Sequence, residues 1–265
     1  MKTKLYLFGA LACCSIYANA TPYVYISNAQ ELADFRDAVN SNGSVVAIDD
    51  VTHEPNSVSA QTANVQLMND IDLSSVCGEK IGSWKPIGDY SHRYSGVIDG
   101  NGYTISNLYI HNTSDTEGDN KGLFGFVSNL EINKLNIEGR IIANSYVGGL
   151  IGYSAGESKI ADCHIFCHIT GTSYIGGVLG SVGKSCIITK CSNSGTVSGS
   201  EYVGGIAGQY RGELSYCSNY GTVSGEGGLI GNNSSTSTKL SSCVNYGDVD
   251  YSGGVNVLYG GNQPA

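Results

Sequence analysis

Charge is scarce in this chain: 14% of its residues are Asp, Glu, Lys or Arg, against about a quarter in an average domain. Proline is scarcer still, with 4 copies in 265 residues. Glycine reaches 37 copies without that proline. Collagen and Pro-rich linkers are thereby excluded, leaving a chain that turns often and packs its backbone closely. A disordered reading also fails, because 41% of the residues are apolar and they recur on a pattern. No stretch beyond the first twenty residues is apolar enough to span a bilayer. Basic residues are also few, 14 against 23 acidic, for a net charge of −9. Removing residues 1–20 takes Lys2 and Lys4 away and leaves 12 against 23, or −11. That balance argues against nucleic acid and against docking on anionic lipid. No phosphate-binding loop and no Gly-x-Ser-x-Gly elbow is present. His53-Glu54 is followed by Pro55, without the second His of a zinc protease.

The first twenty residues read as a processing signal. Lys2 and Lys4 precede an apolar run from Leu5 to Tyr17, too short to cross a membrane. Ala18-Asn19-Ala20 is an A-x-A cleavage site, which makes Thr21 the expected mature N-terminus. Ala10-Leu11-Ala12-Cys13 offers a competing reading as a loose lipobox, which would leave a lipid anchor on Cys13. Ala10, where Leu is usual, favours the first reading.

Internal repetition dominates the rest. Val147-Gly-Gly-Leu-Ile-Gly152 recurs as Ile175-Gly-Gly-Val-Leu-Gly180 and Val203-Gly-Gly-Ile-Ala-Gly208, then as Gly227-Gly-Leu-Ile-Gly231 and a degenerate Gly253-Gly254. From Gly149 onward the copies lie 28, 28, 23 and 26 residues apart. A second register holds Cys191, Cys217 and Cys243 at a spacing of 26, each followed two residues later by Asn193, Asn219 and Asn245. A third places Tyr146, Tyr174 and Tyr202 just before the Gly-Gly pairs. Each unit carries short β-like runs broken by Gly, Ser and Asn and cannot bury its apolar face alone. Stacking each run on its equivalent in the next coil, about 4.8 Å away, solves that problem. Leu150, Val178, Ile206 and Leu229 would form one inward ladder. The leucine-rich pattern and the Trp-Asp signature of propellers are missing.

These units resemble the GLUG motif. So does the upstream block Trp84-Lys-Pro-Ile-Gly88, Tyr94-Ser-Gly-Val-Ile-Asp-Gly-Asn-Gly-Tyr-Thr-Ile105 and Gly122-Leu-Phe-Gly125. The resemblance covers about residues 65 to 252. It implies an all-β, right-handed parallel β-helix of the kind found in bacterial surface and secreted proteins, and it implies no catalytic activity. The expected organisation is a signal peptide (1–20), an N-terminal cap (21–64), the solenoid (65–252) and a tail or degenerate last coil (253–265). Asn28-Ala-Gln-Glu31 starts like a capping box, and Leu32, Phe35 and Val39 follow at helical spacing. A helix over 28–40 is predicted to cover the first coil, with a loop over 41–63.

The candidate sites carry more modest chemistry. Cys163-His-Ile-Phe-Cys-His168 gathers four metal-binding side chains. On a strand, however, its cysteines face opposite to His164 and His168, so these two are at most surface ligands. Stacked Cys163, Cys191, Cys217 and Cys243 read as buried thiols, and Cys186 with Cys191 as the pair best suited to a bridge. The Asn row reads as a structural amide ladder. Tyr146, Tyr174 and Tyr202 offer either corner stacking or a sugar-binding platform. The acids Glu157, Asp162, Glu201, Glu213 and Glu226 do not repeat at coil spacing, and Asp99 belongs to a turn. The expectation is therefore a non-enzymatic, adhesin-like protein, secreted or on the cell surface, that recognises a glycan or an extracellular protein and needs no cofactor. A polysaccharide hydrolase or lyase and a structural spacer are the alternatives.

Overall fold

The computed structural model describes residues 22–113, 120–233 and 238–250. The expected signal segment, Cys13 and the tail at 253–265 lie outside the described residues. Between them the chain winds as a parallel β-solenoid of about 5 turns, with strands that pair with their equivalents one coil away.

Among the described residues, four sheets run along the coil axis. The first, ten-stranded, sheet aligns Ile98, Ile132, Ile160, Ile188 and Leu214 in successive coils. All five are buried. The second sheet aligns Ile71, Ile105, Ile137 and Ile165. Each such buried aliphatic contributes about 1.5–3 kcal/mol, so the ladders supply the drive to stack. Two smaller sheets complete the coil: Ser145–Gly148 with Ser173–Gly176 and Glu201–Gly204, and a five-stranded sheet from Phe124–Val127 to Ile230–Asn233.

The second sheet changes chemistry midway. Ile165 is in register with Asn193, and Asn193 with Asn219 and Asn245. Asn193 Nδ2 donates to Asn219 Oδ1 at 2.8 Å, and Asn219 Nδ2 to Asn245 Oδ1 at 2.7 Å. Each amide also donates to the glycine carbonyl two residues on, at 2.8–2.9 Å. Asn193 and Asn219 are fully buried, a position tolerable only because their polar atoms are paired. The second glycine of the Gly-Gly pair faces this row. A Cβ on Gly177 would sit 2.5 Å from the Asn193 amide carbon, and one on Gly205 2.3 Å from that of Asn219. The Gly-Gly and Cys-x-Asn repeats are thus two sides of one packing contact.

The N-terminal end is closed as the sequence predicts, by α1 (Ala29–Val39). Asn28 Oδ1 accepts from the Glu31 amide at 3.0 Å, and Glu31 reaches back to the Ser27 amide at 2.7 Å. Leu32, Phe35 and Val39 are buried against the first coil. Phe35 meets Tyr94 edge-on at 5.5 Å, and the Arg36 guanidinium lies 4.5 Å over the Trp84 ring. Residues 41–63 correct the expected loop. They form an antiparallel hairpin of β-strands Ser44–Ile48 and Pro55–Ser59, which continues the first sheet beyond strand Tyr23–Ile26. Only Ala47 in those two strands is buried, so they carry no alternating apolar signal.

Candidate functional site

Tyr146, Tyr174 and Tyr202 occupy one corner of three successive coils. Their φ angles are 55°, 60° and 55°, in the left-handed region that costs a non-glycine residue about 1–2 kcal/mol. The Lys121–Val147 bridge sets Asn120, φ 84°, in the same corner one coil earlier. Ring stacking offsets part of the strain. Tyr146 and Tyr174 are parallel at 4.7 Å, and Tyr174 and Tyr202 lie 4.8 Å apart at 33°. All three are half-buried, so ring edges and hydroxyls stay open to solvent. Desolvation, then the neighbouring Tyr146 and Tyr202 phenols, raises the pKa of Tyr174 and keeps it neutral.

The row ends for a covalent reason. Four residues separate Gly199 from Gly204, but only Glu226 separates Gly225 from Gly227. That shorter coil has no tyrosine corner, and the Glu226 carboxylate instead accepts from the Tyr202 amide. Glu201 lies beside it, accepting from the Ser173 hydroxyl at 3.4 Å.

In the other direction the rings continue. Tyr146 meets Tyr153 edge-on at 5.7 Å, Tyr153 stacks on Phe126 at 4.9 Å, and Phe126 meets Tyr90 at 5.4 Å. Arg93 lies 5.0 Å over Phe126 and 5.2 Å over Tyr90. There the row opens into a cleft of about 590 Å³ whose lining includes Trp84, Asp89, Tyr90, His92, Asn120 and Phe126. Asp89 accepts from the Ser91 and His92 amides and from His92 Nδ1 at 2.8 Å. Burial opposes the Asp89 charge, but these hydrogen bonds overcome it and hold the carboxyl below its ordinary pKa.

The remaining predicted residues lie elsewhere. Cys163, just before strand His164–Thr170, and Ile165 and Cys167 within it are buried, whereas Phe166 and His168 are exposed and His164 is half-buried. His164 Nδ1 sits 2.8 Å from the Ser192 hydroxyl, and His168 Nδ1 2.9 Å from that of Thr196. Among the described residues no group of three or more His, Cys, Asp or Glu side chains is placed to hold a metal ion. Cys186 and Cys191 do not form the expected bridge. Both are free buried thiols, as are Cys77, Cys163, Cys167, Cys217 and Cys243. Cys186 lies within strand Cys186–Thr189 and Cys191 beyond its end, and their Sγ atoms point at different carbonyls, those of Gly156 and of Ile160 and Thr189.

Two aromatic groups escaped the sequence reading. Phe126 and Tyr153 each follow the last glycine of a Gly-x-x-Gly unit and pair in register one coil apart, whereas Tyr90 is brought to them by the winding of the chain alone. Tyr220 and Tyr246 stack at 5.1 Å and 9° on the second sheet, 56% and 65% exposed. They directly follow Asn219 and Asn245, so the 26-residue register does mark that pair.

The fold and this site define a class: a parallel β-solenoid with an aromatic row along one corner and a cleft at its N-terminal end. No protein-family profile matches the chain. One relative, from Evansella cellulosilytica and described as a "Putative Gly-rich membrane protein", is 35% identical over 94 residues. That match covers 35% of this chain and only 10% of the relative's length. Among solved structures, the chain resembles a "putative immunoglobulin A1 protease" from Bacteroides ovatus, with a TM-score of 0.62 at 19% identity. That superposition covers 86% of this chain and 67% of the other. The likeness is one of fold. Among the described residues, no helix is long and apolar enough to cross a membrane.

Proposed function

We propose that this chain is a GLUG-type module, exported and presented at the cell surface or beyond, that binds a glycan and does not act on it. The observation that carries this reading is the in-register stack of half-buried tyrosines Tyr146, Tyr174 and Tyr202, spaced by the coil repeat. A repeating ring row suits a repeating ligand. The row turns ring edges and hydroxyls outward, an apolar edge for a sugar's C–H groups beside a regular line of hydroxyl donors and acceptors for its own hydroxyls. Glu201, Glu226 and Ser173 provide such polar groups at the far end of the row. The likenesses to a Gly-rich membrane protein and to a β-solenoid described as a protease fit a surface setting.

The test is a glycan-array screen of residues 22–265 beside a Tyr146→Asn/Tyr174→Asn/Tyr202→Asn variant. Asparagine accepts the left-handed backbone of this corner, so the variant keeps the fold while losing the rings. Selective binding by the parent, lost in a variant with an unchanged circular dichroism spectrum, is the expected result. Equal binding by both proteins would remove the tyrosine row from the site, and no binding by the parent would leave the repeat as a spacer.

A further inference from the structure

The aromatic row does not stop at the three tyrosines that the repeat produces. Tyr202, Tyr174, Tyr146, Tyr153, Phe126 and Tyr90 form an unbroken succession, each ring 4.7–5.7 Å from the next. The first three stack on one another along the solenoid axis at the coil spacing, edges outward. The last three leave that register and turn into the cleft, where Tyr90 is 71% exposed. The cleft volume, about 590 Å³, falls within the range of about 300–1,000 Å³ typical of small-ligand pockets. Its lining sets the exposed Tyr90 ring beside polar and charged groups. His92 has committed Nδ1 to Asp89, so its Nε2 is the ring nitrogen left for a ligand. Asn120 stands where the next tyrosine of the corner would be, replacing a ring by an amide at the cleft mouth.

The geometry points to a terminal subsite: the glycan lies along the tyrosine row as a linear chain, and its end unit enters the cleft, one ring face against the exposed Tyr90 and its hydroxyls toward His92 and Asn120. The inference rests on the glycan-binding reading above. The cleft carries charge as well as rings: Lys85 and Lys121 line it beside Asp89 and His92, so neutral and acidic sugars are both probed. Asp89 is tied to His92 and to two amides, and Arg93 spreads its guanidinium over the two rings.

The chain contains its own reporter. Trp84 is its single tryptophan and lines this cleft, with Nε1 fixed on the Leu123 carbonyl at 3.2 Å. Residues 22–265 would be titrated with malto-, cello- and manno-oligosaccharides from monosaccharide to hexasaccharide, and with hyaluronan oligosaccharides, followed by calorimetry and by tryptophan emission. Affinity should rise with chain length in one series, and that series should change Trp84 emission. Tyr90→Ala, at an exposed position, should abolish the emission change and weaken binding about two- to tenfold. Tyr174→Asn should weaken the longer oligosaccharides and leave the emission response intact. Calorimetric binding that is sensitive to Tyr174→Asn, but with silent emission and a neutral Tyr90→Ala, overturns the cleft subsite and leaves the tyrosine face standing. Preference for hyaluronan over every neutral series, with an emission change lost in Tyr90→Ala, supports the subsite with an acidic end unit. No heat with any oligosaccharide, hyaluronan included, overturns the glycan reading and this subsite with it.

Discussion

At the residue scale, the decisive substitution along the solenoid is Ile165 to Asn193 in the same ladder. An amide replaces an alkyl group in a dry core, and the core tolerates it only because the next coils repeat it. Asn219 is the centre of that chain: it accepts from Asn193 and donates to Asn245 and to the Gly221 carbonyl. Asn219→Ala should therefore cost about 2–4 kcal/mol, since it also strands the Asn193 amide hydrogen in the interior. Ser194→Ala, exposed beside the same row, should stay within about 0.5 kcal/mol. Urea unfolding of the two variants checks the pair, and equal losses would refute the ladder's role. Cysteine, asparagine and glycine were all legible as registers. That Gly177 and Gly205 make room for the amides of Asn193 and Asn219 was not, because the partners lie on opposite walls of a coil.

At the element scale, the cap shows what periodicity can and cannot reveal. Helix α1 was visible because Leu32, Phe35 and Val39 must face one way and Asn28 must satisfy an orphan amide. The hairpin of Ser44–Ile48 and Pro55–Ser59 was invisible because both its faces are largely wet, so no two-residue alternation was imposed on it. Phe35 is the cap's main anchor, packed edge-on to Tyr94, which itself stacks on Phe124 at 5.9 Å. Phe35→Ala should cost about 3–5 kcal/mol. It should also loosen α1 enough to bare the first coil, whose open strand edges invite self-association. Size-exclusion chromatography of the variant should show oligomers that the parent lacks, and a monomer of unchanged stability would count against the capping role.

At the scale of the whole molecule, the solenoid stores its cysteines as thiols in a continuous core. Residues 22–265 contain seven, all free and buried. They should resist Ellman's reagent in the native state and titrate completely in denaturant. Desolvation raises the pKa of Cys167, Cys186 and Cys191, and likewise of the Tyr94 and Tyr210 phenols. A raised pKa means that the folded state keeps a proton the unfolded chain releases. Their contribution is therefore intact below the unfolded values and falls as pH rises past them, from about 8.5 for thiols and about 10 for phenols. Urea midpoints should hold steady through neutrality and drop progressively above about pH 8.5. A midpoint that rises over that range would show these groups to be solvated. The sequence by itself determined the coil: its repeat lengths, its inward ladders, its tyrosine corner and its helical cap, because each is a local rule imposed again at every turn. Tertiary structure alone decided which residues outside the repeat meet. Phe126 and Tyr153 hold equivalent positions one coil apart, but Tyr90 follows no period, and only the folded chain sets it against Phe126 and so extends the tyrosine row into the cleft.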